Sequence, residues 1–243
     1  MSAPLLETLG LTRRFGGLVA ASGVSIQVRQ GEILGLIGPN GAGKSTLFNM
    51  IAGVYPPSDG RILFAGEDIT RFSAPRRCAL GIARTFQVVR SFDSMSVAEN
   101  VIVGALVRTP SAAEARRKAF RVLELTGLAR RADAAAVELT PPEKRRLEIA
   151  RALATEPKLL LLDEALTGLT PSEAQEGVEL VRRIRAGGVT IVMVEHVMEV
   201  VMPLVDRAVV LDLGKVLAEG LPQEVVRDEK VIGAYLGDRH RAA

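Results

Sequence analysis

Residues 32–53 read EILGLIGPNGAGKSTLFNMIAG, and this stretch decides the fold. An apolar run of strand length at 33–37 leads into the glycine-rich loop 38–45, and an apolar helical pattern of Leu47, Phe48 and Ile51 follows directly. A strand, a loop reading GPNGAGKS and a helix, in this order, are typical of a phosphate-binding loop. The sequence therefore predicts an α/β fold with a phosphate site at the start of the helix.

The residue types in this loop suit an anionic ligand. Glycine lets successive backbone N–H groups curl around a phosphate chain with no Cβ in the way. Lys44 would neutralise the terminal phosphates, and the Ser45 hydroxyl would bind Mg²⁺. The alternative is a glycine-rich turn with a solvated lysine, which eight matching positions in this context disfavour. The predicted phosphate-binding residues are Gly38, Pro39, Asn40, Gly41, Ala42, Gly43, Lys44, Ser45 and Thr46.

Composition sets limits on the class of protein. A length of 243 residues suits one α/β domain, and a single cysteine, Cys78, excludes an internal disulfide framework. No run of 18 apolar residues is present, so we expect no membrane-spanning helix. A net charge of +3 with only 4% aromatic residues disfavours a nucleic-acid partner and leaves open a site near anionic head groups or a membrane protein.

The alternation of apolar and polar residues predicts two short strands at Leu5–Thr12 and Val24–Val28, with a turn at 15–17. Phe15 lies beside this turn, where it could stack on a flat base; the alternative is an aromatic residue at the edge of the core. After the phosphate loop, a turn at 55–60, a strand at Arg61–Ala65 and a turn at 66–68 are expected.

The middle of the chain departs from this pattern. Residues 82–87 resemble a strand that ends on the amide of Gln87. Helical periodicity then runs from Ser96 to Gly127, and a further helix starts at Thr140-Pro141-Pro142-Glu143, which fits a capping box with proline at the first helical position. These patterns predict an inserted helical subdomain between about 90 and 155.

Two polar ends of buried strands complete the candidate site. The apolar run 158–162 predicts a strand buried on both faces, and it ends in Asp163-Glu164. A metal held by Asp163 would compensate the buried charge and leave Glu164 to accept a proton from water. The strand 189–194 ends near His196, which could reach the same phosphate. A solvated strand end and a structural histidine are the alternatives.

Together these residues resemble the ATP-binding subunits of ABC transporters over nearly the full length of the chain. The matching positions are Phe15, GPNGAGKST at 38–46, Gln87, LTPPEKRRLEIARAL at 139–153, LLLLDE at 159–164 and His196. Three segments look most like the ATPase subunit of branched-chain amino-acid importers: GIARTFQVVRSFDSMSVAENV at 81–101, VEHVMEVV at 194–201 and AYLG at 234–237.

The resemblance implies a RecA-like phosphate-loop core with a mostly parallel sheet, an N-terminal antiparallel β subdomain and an inserted helical subdomain. One ABC ATPase domain would span 1–243, with the nucleotide-binding core at 1–89 and 156–243 and the helical subdomain at about 90–155. Its cofactors would be ATP and Mg²⁺.

The resemblance also implies a role for each site residue. Adenine would stack on Phe15, and Ser45, Gln87 and Asp163 would surround Mg²⁺. Glu164, His196 and Gln87 would be the catalytic residues, with Glu164 polarising the attacking water and His196 holding the γ-phosphate. Thr140 would supply the remaining hydroxyl of the signature region that contacts the partner's nucleotide.

The implied partners follow from the family mechanism. Two ATPase subunits close head to tail on two ATP molecules and drive transmembrane permease subunits, which in turn receive cargo from a substrate-binding protein. The second ATPase would be a different chain or an identical one, and the subunit would lie in the cytoplasm against the inner face of the cell membrane.

The departures from the family pattern also have consequences. The family usually has LSGGQ where residues 139–143 read LTPPE, so two prolines delete two N–H donors and Glu143 adds a negative charge. Ala165 and Gly168-Leu169-Thr170 replace a usual proline and a usual aspartate. These differences leave a regulatory nucleotide-binding subunit as an alternative to an importer ATPase. A second alternative is the related ATPase of lipopolysaccharide export, which is similar in length and in its C-terminal ending.

Overall fold

The computed structural model describes residues 3–195 and 198–241. Its strands are β1 Leu6–Phe15, β2 Leu18–Val28, β3 Ile33–Ile37, β4 Asp59–Phe64, β5 Glu67–Asp68, β6 Ile82–Arg84, β7 Leu159–Asp163, β8 Thr190–Val194, β9 Arg207–Asp212 and β10 Lys215–Gly220. Its α-helices are α1 Lys44–Ala52, α2 Ala74–Leu80, α3 Val97–Ala105, α4 Ala112–Leu125, α5 Pro141–Ala154, α6 Pro171–Ala186, α7 Met198–Val201, α8 Pro222–Val225 and α9 Glu229–Arg241. The protein is therefore of the α/β class.

The contacts divide the chain into two compact units. The first unit contains residues 1–74 and 190–243, and the second contains residues 75–189. The predicted helical subdomain, at about 90–155, lies within the second unit. Its own boundaries stay a prediction.

In the first unit, β1 pairs antiparallel with β2 and β4, and β4 pairs with β5. The predicted strands 5–12 and 24–28 were too short, because pairing continues to Phe15 and Leu18 beside the turn. The expected turn at 66–68 is also wrong in part. Glu67 pairs with Phe64, and the turn is formed by the two residues between them.

The second sheet segment of this unit places β3 between β8 and β9, parallel to both. Every residue of β3 is buried, as its apolar run predicts for a central parallel strand. β10 pairs antiparallel with β9 and forms a hairpin with it. Because β3 leads directly into α1, this sheet fixes the position of the phosphate loop.

In the second unit, β6 pairs parallel with β7, and α3, α4 and α5 pack around a shared apolar core. The predicted strand at 82–87 is wrong in length, since β6 ends at Arg84. The reason is a tertiary contact: Thr85 still donates its N–H to the Leu161 carbonyl, but the N–H of Phe86 donates to the side chain of Glu148. The following loop, residues 85–92, therefore leaves the sheet.

Hydroxyl side chains cap several of the helices, including the predicted cap at Thr140. Ser96 and Thr140 form capping boxes with Glu99 and Glu143, and the Ser111 side chain caps α4. Within residues 3–195 and 198–241, no helix is both long enough and apolar enough to cross a membrane.

Candidate functional site

The phosphate loop lies in the first unit, between β3 and α1. Lys44 is buried, and its Nζ donates to the carbonyls of Gly38 at 2.7 Å and Pro39 at 2.8 Å. The lysine thus closes the loop on itself and holds its ammonium group inside the curl of backbone. The residues predicted to bind phosphate form one continuous loop and helix start, as the motif indicates.

Two glycines in this loop cannot be replaced without rearrangement. Gly38 has φ +147°, and a Cβ at this position would lie 2.1 Å from the carbonyl oxygen of Leu211. Gly43 has φ +99°, and a Cβ there would lie 2.4 Å from the carbonyl oxygen of Ala20. Backbone conformation and close packing both require glycine at these positions.

The start of α1 has the character of an anion site. Gly43 is its N-cap residue, and within the described part of the chain no side chain caps the helix and no acidic residue lies in its first turn. The positive end of the helix dipole at this position would favour an anionic ligand.

Phe15 ends β1 in the same unit and is 43% exposed. Its ring packs edge to face against Tyr55, with 5.5 Å between the ring centroids, and the Arg13 guanidinium lies 4.7 Å from its centroid. Arg13 also donates to the Pro56 carbonyl at 2.7 Å, which fixes the guanidinium between the two rings. Phe15 is thus a supported aromatic platform with exposed surface.

The predicted carboxylates lie at the end of β7 in the second unit. Asp163 is only 3% exposed, and Arg84 lies 3.3 Å from its Oδ2. The Asp163 N–H donates to the hydroxyl of Thr85. Strand pairing and this hydroxyl fix the backbone of the carboxylate, while the guanidinium balances its charge.

Glu164 follows in a left-handed backbone conformation, with φ +50°. Such a conformation costs a non-glycine residue about 1 kcal/mol or more and persists where surrounding contacts impose it. One of these contacts comes from α5, since Arg145 donates to the Glu164 carbonyl at 2.8 Å. The main chain of Glu164 is therefore held by a charged hydrogen bond.

The structure brings Gln87 to the same place. Its Nε2 donates to Oε2 of Glu164 at 3.1 Å, although 77 residues separate the two positions in the chain. The amide of Gln87 thus contacts the carboxylate of Glu164, which was predicted to accept a proton from water.

Helix α5 begins at the divergent signature. Thr140 caps the helix: its N–H and its hydroxyl both lie within 3.0 Å of Oε2 of Glu143. This N–H lowers the pKa of the Glu143 carboxyl, and Arg131 adds to the effect. The start of α5 therefore presents a carboxylate, in contrast to the start of α1.

The candidate magnesium ligands fit the metal by their chemistry. Ser45, Gln87 and Asp163 would offer hydroxyl, amide and carboxylate oxygens, which are the hard donors that Mg²⁺ takes alongside phosphate. Among the described residues, no group of three or more His, Cys, Asp and Glu side chains is placed to hold a metal.

Sequence reasoning missed two features. Tyr235 on α9 forms a hydrogen bond with the backbone of Gly38, and burial raises the pKa of its phenol to about 12. Glu148 on α5 is buried against the loop that carries Gln87. Neither contact was indicated by the sequence: Tyr235 lies in the segment AYLG, which suggested only a family resemblance, and Glu148 lies in an ordinary helical pattern. His196 lies outside the described residues.

A glycine-lined loop between a buried parallel strand and a helix, together with a held carboxylate at the end of a second buried strand, defines an α/β phosphate-loop protein. The family model described as ABC transporter matches residues 21–167. The model described as branched-chain amino acid ATP-binding cassette transporter matches residues 215–241. The chain belongs to the ABC transporter family of ATPases.

Similar proteins support this assignment over the full chain. The chain is 41% identical to the high-affinity branched-chain amino acid transport ATP-binding protein LivG of Escherichia coli strain K12, covering 98% of this chain and 100% of that protein. It is 37% identical to the lipopolysaccharide export system ATP-binding protein LptB of Acidithiobacillus ferridurans, covering 97% and 98%. A crystal structure of the ADP conformation of an ATP-binding cassette from an ABC transporter superposes with a TM-score of 0.88, at 33% identity and 97% and 100% coverage.

Proposed function

We propose that this chain is the ATP-binding and ATP-hydrolysing subunit of an ABC importer for branched-chain or related amino acids. The observation that carries hydrolysis is the hydrogen bond between Gln87 and Glu164 at the end of β7. The cargo class rests on the family match at residues 215–241 and on the relative from Escherichia coli.

In this proposal the phosphate loop binds the triphosphate of ATP. Backbone N–H groups at the start of α1 contact the phosphates, and Lys44 leaves the two loop carbonyls it now contacts for the terminal phosphates. Phe15 stacks on adenine. Ser45, Gln87 and Asp163 hold Mg²⁺, which when bound supplies charge for the phosphoryl oxygens.

Hydrolysis requires a group that orients and polarises water. Glu164 has the position and the constraints for this role, because its main chain is held by Arg145 and its carboxylate by Gln87. His196 is assigned to the γ-phosphate on the family pattern. Glu164, Gln87 and His196 are thus the proposed catalytic residues.

The start of α5 supports an unequal pair of ATPase subunits. Pro141 and Pro142 have no N–H, the N–H of Glu143 is directed to the Thr140 hydroxyl at 3.5 Å, and the N–H of Lys144 donates to the Thr140 carbonyl at 2.8 Å. The first four N–H positions are therefore deleted or occupied. A γ-phosphate presented by a partner would meet the Glu143 carboxylate instead of donors.

This geometry weakens one of the two sites in a dimer. Loss of one charge-assisted hydrogen bond costs about 1.5–3 kcal/mol, or roughly 10- to 100-fold in affinity. This chain would hydrolyse ATP at its own phosphate loop when the partner offers an intact signature. We therefore propose a heterodimer, with a homodimer as the less active alternative.

The remaining partners follow from the importer assignment. The loop after Gln87 would contact the transmembrane permease subunits, and Val88 in that loop is 75% exposed. A substrate-binding protein would act on the permease and not on this chain. The subunit would then lie on the cytoplasmic side, at the inner face of the cell membrane.

Two other functions keep specific support. The likeness to LptB favours lipopolysaccharide export, against which stand Arg84-Thr85-Phe86-Gln87 and Val194-Glu195-His196, which look more like the amino-acid importer subgroup. The divergent signature favours a regulatory subunit, against which stands Glu164.

The test of hydrolysis is a Glu164→Gln substitution, which keeps the shape and removes the carboxylate. We expect ATP binding to be retained and turnover to fall by at least 100-fold, within the range of positioned acid–base catalysis. Equal turnover in the two proteins would assign a regulatory role to this chain.

The test of asymmetry compares the purified homodimer with the complex that co-purifies with membrane subunits. We expect a second, different ATPase in that complex and faster turnover per site than in the homodimer. A homodimer that matches the complex in rate would refute the heterodimer, and uptake assays with amino acids or lipopolysaccharide in vesicles separate the two cargo classes.

A further inference from the structure

The loop that carries Gln87, residues 85–92, is anchored firmly at both of its ends. At its start, Thr85 continues the pairing with β7 through its N–H and accepts the Asp163 N–H on its hydroxyl. At its end, the buried Asn100 side chain accepts the Phe92 N–H at 2.9 Å and donates to the Phe92 carbonyl at 3.0 Å. Between these anchors the loop has no helix or strand of its own.

Helix α5 contacts the main chain between the anchors. The Glu148 carboxylate is 6% exposed and accepts the N–H of Phe86 at 3.0 Å and a backbone hydrogen bond from Arg90. Three residues later, Arg151 donates to the Arg90 carbonyl and lies 4.4 Å from the centroid of the Phe92 ring. Two charged residues one helical turn apart thus form hydrogen bonds with the loop main chain on both sides of Gln87.

The same face of α5 also contacts Glu164, the residue that accepts the hydrogen bond from Gln87. Residues 145, 148 and 151 are spaced at three-residue intervals, so they lie along one side of the helix. Arg145 donates to the Glu164 carbonyl. One helix therefore holds Glu164 through its main chain and Gln87 through its loop.

We propose that Glu148 and Arg151 are positioning residues for Gln87, which fix loop 85–92 on α5 so that the Gln87 amide meets the Glu164 carboxylate. The proposal rests on the proposed function, in which this amide and carboxylate act on Mg²⁺-ATP. In this proposal both residues act through the main chain of the loop.

The burial of Glu148 argues for a specific purpose. A carboxylate inside a helical core costs free energy unless donors surround it, and an apolar residue would pack there with no such cost. The charged groups that face it are Arg145 and Arg151 on its own helix, and the loop presents the main-chain N–H groups of Phe86 and Arg90. Desolvation raises the pKa of Glu148 to about 7, so the two N–H donors of the loop compensate the burial only in part.

The first experiment measures amide hydrogen exchange in the full chain. Glu148→Gln keeps the shape and offers one acceptor, but its amide N–H₂ opposes the second loop donor. We expect exchange in a peptide covering 86–91 to accelerate by about 10-fold or more, while peptides within 141–154 stay unchanged. Unchanged exchange at 86–91, or faster exchange along all of α5, would overturn the proposal.

Two further variants protect this result against misfolding and nonspecific effects. Arg151→Met keeps the apolar stem and removes the donor to Arg90, so it should accelerate the same peptide. Glu124→Gln, an equivalent change at an exposed position of α4, should leave that peptide unchanged.

The second experiment measures turnover in the complex that co-purifies with the chain. We expect Glu148→Gln to lower kcat by about 10-fold with the KM for ATP within twofold, and to have no further effect when Gln87→Ala is already present. Additive losses would show that Glu148 acts independently of Gln87. If the wild-type complex has no ATPase activity, the proposed function fails, whereas the exchange data still decide whether Glu148 and Arg151 position the loop.

Discussion

The side-chain amide of Gln87 donates to the carboxylate of Glu164 at 3.1 Å, and both residues are constrained from outside this contact. Glu164 has a left-handed backbone held by Arg145, and Gln87 lies in a loop bonded to Glu148. A hydrogen bond between two restrained groups loses little conformational entropy when it forms. The backbone on both sides of this pair is therefore preorganised in the proposed site.

Replacing Gln87 with alanine should separate catalysis from binding. We expect turnover of the complex to fall by at least about 10-fold, because the Glu164 carboxylate loses its orienting donor, while affinity for ATP stays within about twofold. Gln27→Ala is the matched control, since Gln27 donates to Glu7 over the same 3.1 Å at an exposed site. Steady-state ATPase rates and calorimetric ATP titration measure both quantities; a loss of ATP affinity equal to the loss of rate would contradict the assignment.

Replacing Phe15 with leucine should weaken binding of the base and leave the phosphates unaffected. Stacking of a base on an aromatic side chain contributes about 1–3 kcal/mol, so ATP affinity should fall by roughly 5- to 100-fold, whereas affinity for tripolyphosphate should not change. Phe120→Leu is the control, because Phe120 also lies under an arginine, 5.4 Å from Arg116, on α4. Equal losses for both ligands would assign Phe15 a structural role.

Much of the architecture was accessible from local patterns. The apolar run of β3, the glycine loop and the start of α1 follow each other within 22 residues (53 − 32 + 1), so no long-range contact was needed to predict them. The capping box at Thr140 was likewise local, and it is confirmed.

The features that sequence reasoning missed depend on tertiary contacts. β6 ends at Arg84 because a side chain 62 residues away, Glu148, accepts the N–H of Phe86. Periodicity cannot identify such a buried carboxylate, since a glutamate in a basic helical pattern indicates a solvated face. The contact between Tyr235 and the Gly38 backbone is equally nonlocal.

Replacing Arg108 with methionine should destabilise the second unit. Its guanidinium donates to the carbonyls of Thr155 at 2.6 Å, Ala79 at 2.5 Å and Cys78 at 3.2 Å, at the ends of α5 and α2. Unpaired carbonyls at two helix C-termini cost about 1–3 kcal/mol each, so we expect the free energy of unfolding to fall by about 3 kcal/mol. Urea unfolding measures this value. Arg121→Met, at an exposed position of α4, is the control and should change it by less than about 0.5 kcal/mol.

Restoring the signature should activate the homodimer. Thr140→Ser, Pro141→Gly, Pro142→Gly and Glu143→Gln together return N–H donors to the start of α5 and remove the carboxylate. We expect homodimer turnover to rise by at least about 10-fold, since each regained charge-assisted hydrogen bond contributes about 1.5–3 kcal/mol.

The second capping box supplies the control for this change. Thr170 and Glu173 cap α6 with the same geometry, including an N–H to Oε2 distance of 2.8 Å. Glu173→Gln should weaken that helix cap as Glu143→Gln weakens the cap of α5, by about 1 kcal/mol, without raising turnover. Unchanged turnover after full restoration would remove the signature as the reason for a heterodimer.

Glu148 should make stability fall as the pH rises. Burial raises the pKa of its carboxyl from 4.5 to about 7, so between these values the folded chain binds a proton that the unfolded chain has released. The free energy of unfolding therefore decreases across this window, by on the order of 3 kcal/mol between the two pKa values. Glu148→Gln removes this contribution, so the variant should gain stability relative to the wild type between pH 5 and pH 8, as urea unfolding at the two values would measure.

Glu143→Gln is the control, because the pKa of Glu143 is lowered by the Thr140 N–H. This carboxylate is charged in the folded and the unfolded chain throughout the range, so the stability that the variant loses relative to the wild type should be the same at both pH values. If the difference between Glu148→Gln and wild type is the same at both pH values, Glu148 is not the buried titrating group that its contacts indicate.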